Sequence, residues 1–166
     1  GDAKERAEAL FRAYSLYRLA KREEQAEQVL EDGYKATLQI SDPATRAPRI
    51  GWLLEHRLKG RNAAGALELL KPYGEAAELV PDGRDRARLW LRAARSLWRA
   101  DQRNAALESA RKFLNARTAA LAEGGIDDAS QDAVWATRLG QPALAKAAVR
   151  AAWAHVSGKP LEKNRW

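Results

Sequence analysis

Residues 89–114 read LWLRAARSLWRADQRNAALESARKFL, and they contain a pattern that the rest of the chain repeats. Apolar residues at intervals of three and four predict a first helix that ends near residue 100. A short polar break follows, and a second apolar-periodic helix is predicted after it, with Ala106 near its start. The stretch therefore predicts a helical hairpin, that is, two helices joined by a tight turn.

An alanine in the same local setting occurs four times along the chain. These residues are Ala26, Ala66, Ala106 and Ala145, which are separated by 40, 40 and 39 residues. Turn-forming residues keep the same period at Pro43, Pro81, Gly124-Gly125 and Pro160. Two series with one period indicate a repeat array, in which each hairpin buries its apolar stripe only by stacking on its neighbours.

We therefore predict an all-α fold, an α-solenoid of about four hairpins and about eight helices. A single repeat domain covers residues 1–166, with units at about 3–41, 42–81, 82–125 and 126–158. Residues 159–166 would begin a further unit or form a tail. The chain contains no Met, even at position 1, so we expect it to be a fragment of a longer array.

Composition excludes several classes of protein. The chain has no Cys, which excludes a disulfide scaffold, a zinc ribbon and a thiol nucleophile. No apolar run approaches the length of about 18 residues that a membrane-spanning helix needs, so we predict no membrane insertion. The only histidines are His56 and His155, and neither has metal-ligand spacing. We predict that the chain is not an enzyme and has no catalytic residues, cofactor or metal.

The repeat resembles the tetratricopeptide repeat (TPR). The first unit matches that motif at Leu10, Ala13, Tyr14, Tyr17, Ala26, Leu30 and Gly33, and the third at Trp90, Ala93, Ala94, Leu97, Ala106 and Ala110. The period is nearer 40 than the family's 34 or so, and HEAT-type and Sel1-type repeats remain alternatives. The TPR resemblance implies a right-handed superhelix whose first helices line a concave groove, which in that family usually binds a peptide or a partner domain.

Six arginines follow one another at steps of 4, 4, 3, 4 and 4 in the third unit. They are Arg84, Arg88, Arg92, Arg95, Arg99 and Arg103, and this spacing predicts one helix face for all six. Residues 82–117 hold ten Lys and Arg against four acids, in a chain of net charge +7. The series is interpreted either as a solvated face with salt bridges to neighbouring units or as a site for an anionic partner.

In the TPR-like register, Arg88, Arg95 and Arg99 are expected to face the groove. Lys59 and Arg138 occupy the place of Arg99 in the flanking units, and Trp98 is adjacent to it. The predicted partner-binding residues are Arg88, Arg92, Arg95, Arg99, Trp98, Lys59 and Arg138. Trp90, Trp135 and Trp153 fit apolar stripes and are predicted to be buried. For Trp52 and Trp98 the pattern does not decide between burial and exposure.

These features together predict a scaffold that binds a partner protein or an acidic peptide. Binding of RNA or DNA by the arginines, and direct binding of an anionic polysaccharide, are the alternatives. Arrays of this kind look like the periplasmic repeat regions of bacterial exopolysaccharide export proteins, which implies a place in an envelope export assembly. The lack of Cys agrees with the bacterial periplasm.

Overall fold

The computed structural model of the chain describes residues 2–122 and 129–157, and every regular element in these ranges is an α-helix. Side chains are described for residues 2–117, 132–147, 149 and 150. The turn expected at Gly124-Gly125, the segment 158–166 and the side chains of Trp153 and His155 lie outside the described residues. The helices are α1 (Ala3–Leu19), α2 (Glu23–Leu38), α3 (Pro43–Lys59), α4 (Ala63–Glu68), α5 (Leu70–Glu78), α6 (Gly83–Arg99), α7 (Arg103–Ala122), α8 (Ala129–Arg138) and α9 (Pro142–Ser157).

Two compact units make up the chain, Gly1–Pro81 with α1 to α5 and Asp82–Trp166 with α6 to α9. We call them the N-terminal and the C-terminal unit. The division lies where the sequence places the boundary between its second and third hairpins. Within each unit the helices pack in chain order, so that α1, α2 and α3 contact in succession, as do α6, α7, α8 and α9.

The same turn joins the two helices of each of the four hairpins. Each turn contains one residue with a left-handed backbone, and these are Lys21 (φ 55°), Arg61 (φ 59°), Asp101 (φ 60°) and Gly140 (φ 67°). The residue after it donates its backbone N–H to the carbonyl five positions earlier, as Arg22 does to Tyr17 at 2.9 Å. All four turns make this bond at 2.9 Å. They are therefore Schellman-type helix endings, and they recur at the predicted spacing of 40, 40 and 39 residues.

Aspartates begin the first helices of three hairpins at the same period. Asp2, Asp42 and Asp82 each accept a hydrogen bond from the backbone N–H two residues later. The Thr45 hydroxyl donates to the Asp42 carboxylate and lowers the pKa of Asp42. Backbone N–H groups, first that of Asp85, lower the pKa of Asp82. These side chains satisfy N–H groups that the helix leaves without partners.

The second helix of the second hairpin is interrupted at Leu69. Pro72 lacks a backbone N–H, and a proline ring inside a helix crowds the carbonyl four residues before it. That carbonyl belongs to Glu68, where α4 ends. Counted as one interrupted helix, α4 and α5 bring the described helices to eight, the number that the sequence predicts.

The repeated alanines lie near the start of the second helix of each hairpin, and three of the four are fully buried. Ala26, Ala66 and Ala106 are each 0% exposed, whereas Ala145 is partly exposed. Trp90 and Trp135 are buried, as predicted, and Trp52 and Trp98 are half-buried. The remaining core of each unit consists of aliphatic and aromatic side chains of these same hairpins, among them Ile50, Leu53, Leu54, Tyr73, Leu97 and Phe113.

We expect Arg61→Gly to stabilise the N-terminal unit by about 1 kcal/mol, because a left-handed backbone costs an L-residue about 1–2 kcal/mol and costs glycine almost nothing. Arg61→Ala is the matched control, since alanine removes the same side chain but still bears the cost of the left-handed backbone at φ 59°. Urea unfolding followed by circular dichroism measures both variants. A stabilisation by Arg61→Ala as large as that by Arg61→Gly would contradict the backbone assignment.

Candidate functional site

Five arginines form a line along the exposed side of α6. We call Arg84, Arg88, Arg92, Arg95 and Arg99 the arginine face, and all five are exposed. The sixth residue of the predicted series, Arg103, does not belong to it. Because α6 ends at Arg99, Arg103 instead begins α7, and the expectation that six arginines share one helix was wrong.

The arginine face is only partly neutralised. Arg88 pairs with Asp85 one turn earlier, at 3.2 Å between guanidinium and carboxylate. Among the described residues, no carboxylate lies within salt-bridge distance of Arg95 or Arg99. Like charges at this helical spacing repel by a few tenths of a kcal/mol per pair. The fold therefore bears a small cost here that no ion pair at these two residues offsets.

Beside the arginine face, Trp98 lies at the centre of a cluster of cations and aromatic rings. The guanidinium carbons of Arg103 and Arg138 lie 4.1 Å and 4.5 Å from the Trp98 ring centroid. Arg138 also lies 4.6 Å from the centroid of Trp135, and the two indoles meet edge to face at 5.6 Å. We call Trp98, Trp135, Arg103 and Arg138 the tryptophan–arginine cluster.

The cluster holds two otherwise flexible cations in place. Arg103 donates its Nε–H to Asp101 at 2.7 Å, and Trp135, with 0% exposure, gives Arg138 a rigid surface. A guanidinium stacked on a ring keeps its N–H groups at its edge, where they can bind carboxylate or phosphate oxygens. The structure thus brings together Trp98 and Arg138 of the predicted site and adds Arg103, which the prediction omitted.

Lys59 lies in the N-terminal unit, whereas the other predicted site residues belong to the C-terminal unit. It is the last residue of α3, just as Arg99 and Arg138 are the last residues of α6 and α8. The equivalence that the repeat predicts for these three positions is therefore confirmed. A common binding surface that includes Lys59 stays a prediction.

We expect Trp98 and Arg103 to be energetically coupled. In a double-mutant cycle with Trp98→Leu and Arg103→Met, a partly exposed cation–π contact predicts a coupling of about 0.5–1 kcal/mol in the free energy of unfolding. The control cycle combines Trp98→Leu with Arg99→Met, since Arg99 is adjacent in sequence but makes no contact with the ring. Equal couplings in the two cycles would show that the stacking contributes nothing specific.

A second cluster, in the N-terminal unit, contains His56, one of the two histidines for which the sequence shows no metal-ligand spacing. The Tyr14 hydroxyl is hydrogen-bonded to Nε2 of His56, and the Trp52 ring is stacked on the imidazole at 5.2 Å between centroids. Phe11 lies 5.0 Å from Trp52. We call Phe11, Tyr14, Trp52 and His56 the aromatic cluster, and it joins α1 to α3.

Burial lowers the pKa of His56 below its ordinary value of 6.5, and Arg18 and Lys59 contribute in the same sense while Glu27 opposes them. Burial also raises the pKa of Tyr14. At neutral pH the neutral imidazole can therefore accept a hydrogen bond from the Tyr14 hydroxyl, which keeps its proton. The cluster contributes to the packing of α1 against α3, because Tyr14 meets both Trp52 and His56 across these two helices.

We expect the stability of the N-terminal unit to fall as the pH drops below 6.5. Since the pKa of His56 is lower in the folded state, the unfolded chain binds more protons between the two values, and the free energy of unfolding rises with pH across that window. Urea unfolding of the wild type and of His56→Gln from about pH 5 to pH 8 measures this term. Identical pH slopes of the two proteins would refute it.

Neither a candidate metal site nor a helix suited to span a membrane is present in the parts of the chain that the structure describes. In residues 2–122 and 129–157, no group of three or more His, Cys, Asp or Glu side chains could hold a metal ion. No helix among these residues is both long enough and apolar enough to cross a bilayer.

Comparisons with protein-family models, with curated proteins and with solved structures found no match.

Proposed function

We propose that the chain is a scaffold for protein–protein contact, in which four hairpins stack as a TPR-like α-solenoid with a right-handed superhelix. The four identical helix endings at a 40-residue period support this, because identical turns give hairpins of one shape. Hairpins of one shape, each with an apolar stripe, bury those stripes by regular stacking.

The partner that we propose is a carboxylate-rich segment of another protein, bound along the arginine face and the tryptophan–arginine cluster. The observation that carries this is the pair of exposed arginines Arg95 and Arg99, which have no carboxylate partner among the described residues and lie next to two guanidiniums held on Trp98. Guanidinium and carboxylate groups match in geometry and form paired hydrogen bonds.

The dimensions of the face suit a short extended peptide. From Arg84 to Arg99 the helix rises by about 22 Å, at about 1.5 Å per residue. An extended peptide covers that length with about six or seven residues. Acidic side chains at alternate positions of such a peptide would meet successive arginines.

The occupation of the Trp98 ring by guanidiniums favours a peptide partner over nucleic acid and over an anionic polysaccharide. Proteins that bind single-stranded nucleic acid stack bases on free aromatic rings, and sugars also pack on such rings. Here two guanidiniums already lie within 4.5 Å of the Trp98 centroid. The face therefore offers cations but no open aromatic platform.

We expect Arg95→Glu combined with Arg99→Glu to weaken binding of a fluorescein-labelled peptide of about ten glutamates at least about tenfold, measured by anisotropy. The matched control is Arg6→Glu with Arg12→Glu, which changes the net charge equally at exposed positions of α1. The control should bind nearly as the wild type does, since net charge alone acts weakly at physiological salt.

A parallel titration with a single-stranded RNA of about 20 nucleotides tests the main alternative. Nucleic-acid binding predicts tighter binding of the RNA than of the peptide and a steep decrease in affinity with salt. That result, or equal losses in the two double variants, would refute the proposed peptide site.

A further inference from the structure

An apolar groove of about 270 Å³ opens on the last hairpin, between α8 and α9. The residues that line it are Ala133, Thr137, Ala145, Lys146, Val149 and Arg150. None of them belongs to the arginine face or to the tryptophan–arginine cluster. Val149, one of the apolar lining residues, is 45% exposed.

The repeat identifies what covers this groove in the first hairpin. The left-handed turn residues Lys21 and Gly140 set an offset of 119 residues between the first and last hairpins. With that offset, the six lining residues correspond to Tyr14, Arg18, Ala26, Glu27, Leu30 and Glu31 of α1 and α2. The groove is therefore the counterpart of a defined surface of the N-terminal unit.

In the N-terminal unit, α3 packs on that surface. Tyr14 contacts Trp52 and His56 of α3, and Glu31 accepts a hydrogen bond from Arg57 at 3.2 Å. Tyr14 and Leu30 are each only 3% exposed as a result. A helix thus occupies in the first hairpin the position that none of the described helices covers in the last one.

Two differences at equivalent positions shape the open groove. Ala133 replaces Tyr14, which removes a phenol ring from its floor, so that the incoming helix must supply a large apolar side chain of its own. Glu27 and Glu31, which lie next to His56 and Arg57, are replaced by Lys146 and Arg150. The charge of the rim is therefore reversed.

We propose that this groove docks an amphipathic helix of a partner protein that carries one large apolar residue and two carboxylates. The carboxylates lie at the positions where α3 has His56 and Arg57, opposite Lys146 and Arg150. The apolar residue lies where α3 has Trp52 and fills the space above Ala133. The proposal rests on the repeat alone and does not require the arginine face to bind a peptide.

The chain's own segments have the wrong charge for this place. Residues 158–166 contain Lys159, Lys163 and Arg165 against a single acid, Glu162. In a second copy, the first helix would present Leu16 and Tyr17 at the two positions that need carboxylates. A partner with an acidic helix fits the rim better than either.

A charge-swap titration tests the proposal. The probes are two labelled peptides with the sequence of residues 41–59, one unchanged and one with His56→Glu and Arg57→Glu. We expect the wild-type chain to bind the acidic peptide about tenfold more tightly than the unchanged one, and Lys146→Glu with Arg150→Glu to reverse that preference. Val149→Asp should abolish binding of both peptides, and circular dichroism verifies that each variant is folded.

The double variant Arg95→Glu and Arg99→Glu serves as the control that separates the two surfaces. This variant should bind the glutamate peptide at least about tenfold more weakly than the wild type does. It should still bind the acidic α3-derived peptide more tightly than the unchanged one. Absence of binding, or a preference unaffected by the Lys146 and Arg150 swap, overturns the proposal. Self-association that Val149→Asp abolishes, measured by analytical ultracentrifugation, would make a second copy the occupant and overturn it as well.

Discussion

The left-handed helix ending is the constraint on which the rest of the structure depends. After each first helix, a single residue with positive φ turns the chain, and the next N–H bonds to the carbonyl five residues before it. This bond fixes where the second helix starts and the direction in which it leaves. Five residues after each left-handed position comes an alanine, whose small side chain permits the two helices to approach. The apolar stripes of the two helices then meet in register.

Three of these turns have a residue with a side chain at the left-handed position, where glycine would adopt the backbone conformation at lower cost. Only Gly140 has the residue type that the left-handed backbone favours, while lysine, arginine and aspartate occupy the other three positions. Sequence reasoning that looks for a turn glycine consequently fails at these places, and in the second hairpin it selects Gly60, one residue too early. The packing of the helices on each side compensates for this local strain, since a turn that opened would expose both apolar stripes.

Features set by local spacing could be predicted, and those set by packing could not. The hairpins, their turns, the buried alanines and the equivalence of Lys59, Arg99 and Arg138 all follow from periodicity along the chain. The aromatic cluster does not, because Tyr14 and His56 are 42 residues apart and meet only through the packing of α1 on α3. The position of Arg103 was predicted wrongly because its spacing of four residues from Arg99 suits one continuous helix. The helix α6 ends at Arg99, and the turn places Arg103 at the start of α7.

The buried pair of Arg117 and Asp132 shows how far the repeat can vary within one backbone. Arg117 stands 40 residues after Ala77 and 80 after Thr37, both of which are 0% exposed, and it binds Asp132 of α8 at 3.0 Å with 7% of its side chain exposed. Removing one partner of such a pair typically costs about 3–5 kcal/mol, whereas an apolar pair would hold the helices equally well. No spacing rule distinguishes this arginine from the exposed ones.

The turns, the alanines and the apolar stripes account for the hairpins, so that the residues that depart from the repeat are those whose presence the fold does not explain. Arg95 stands where the second hairpin has Glu55 and repels Arg99 along one helix face. Lys146 and Arg150 reverse the charge of Glu27 and Glu31 around a groove whose counterpart in the first hairpin is covered by α3. In the N-terminal unit α3 covers the equivalent groove, and Glu31 there pairs with Arg57 of α3. The departures in the C-terminal unit instead leave cations and apolar surface exposed, which is the condition that binding of an acidic partner would relieve.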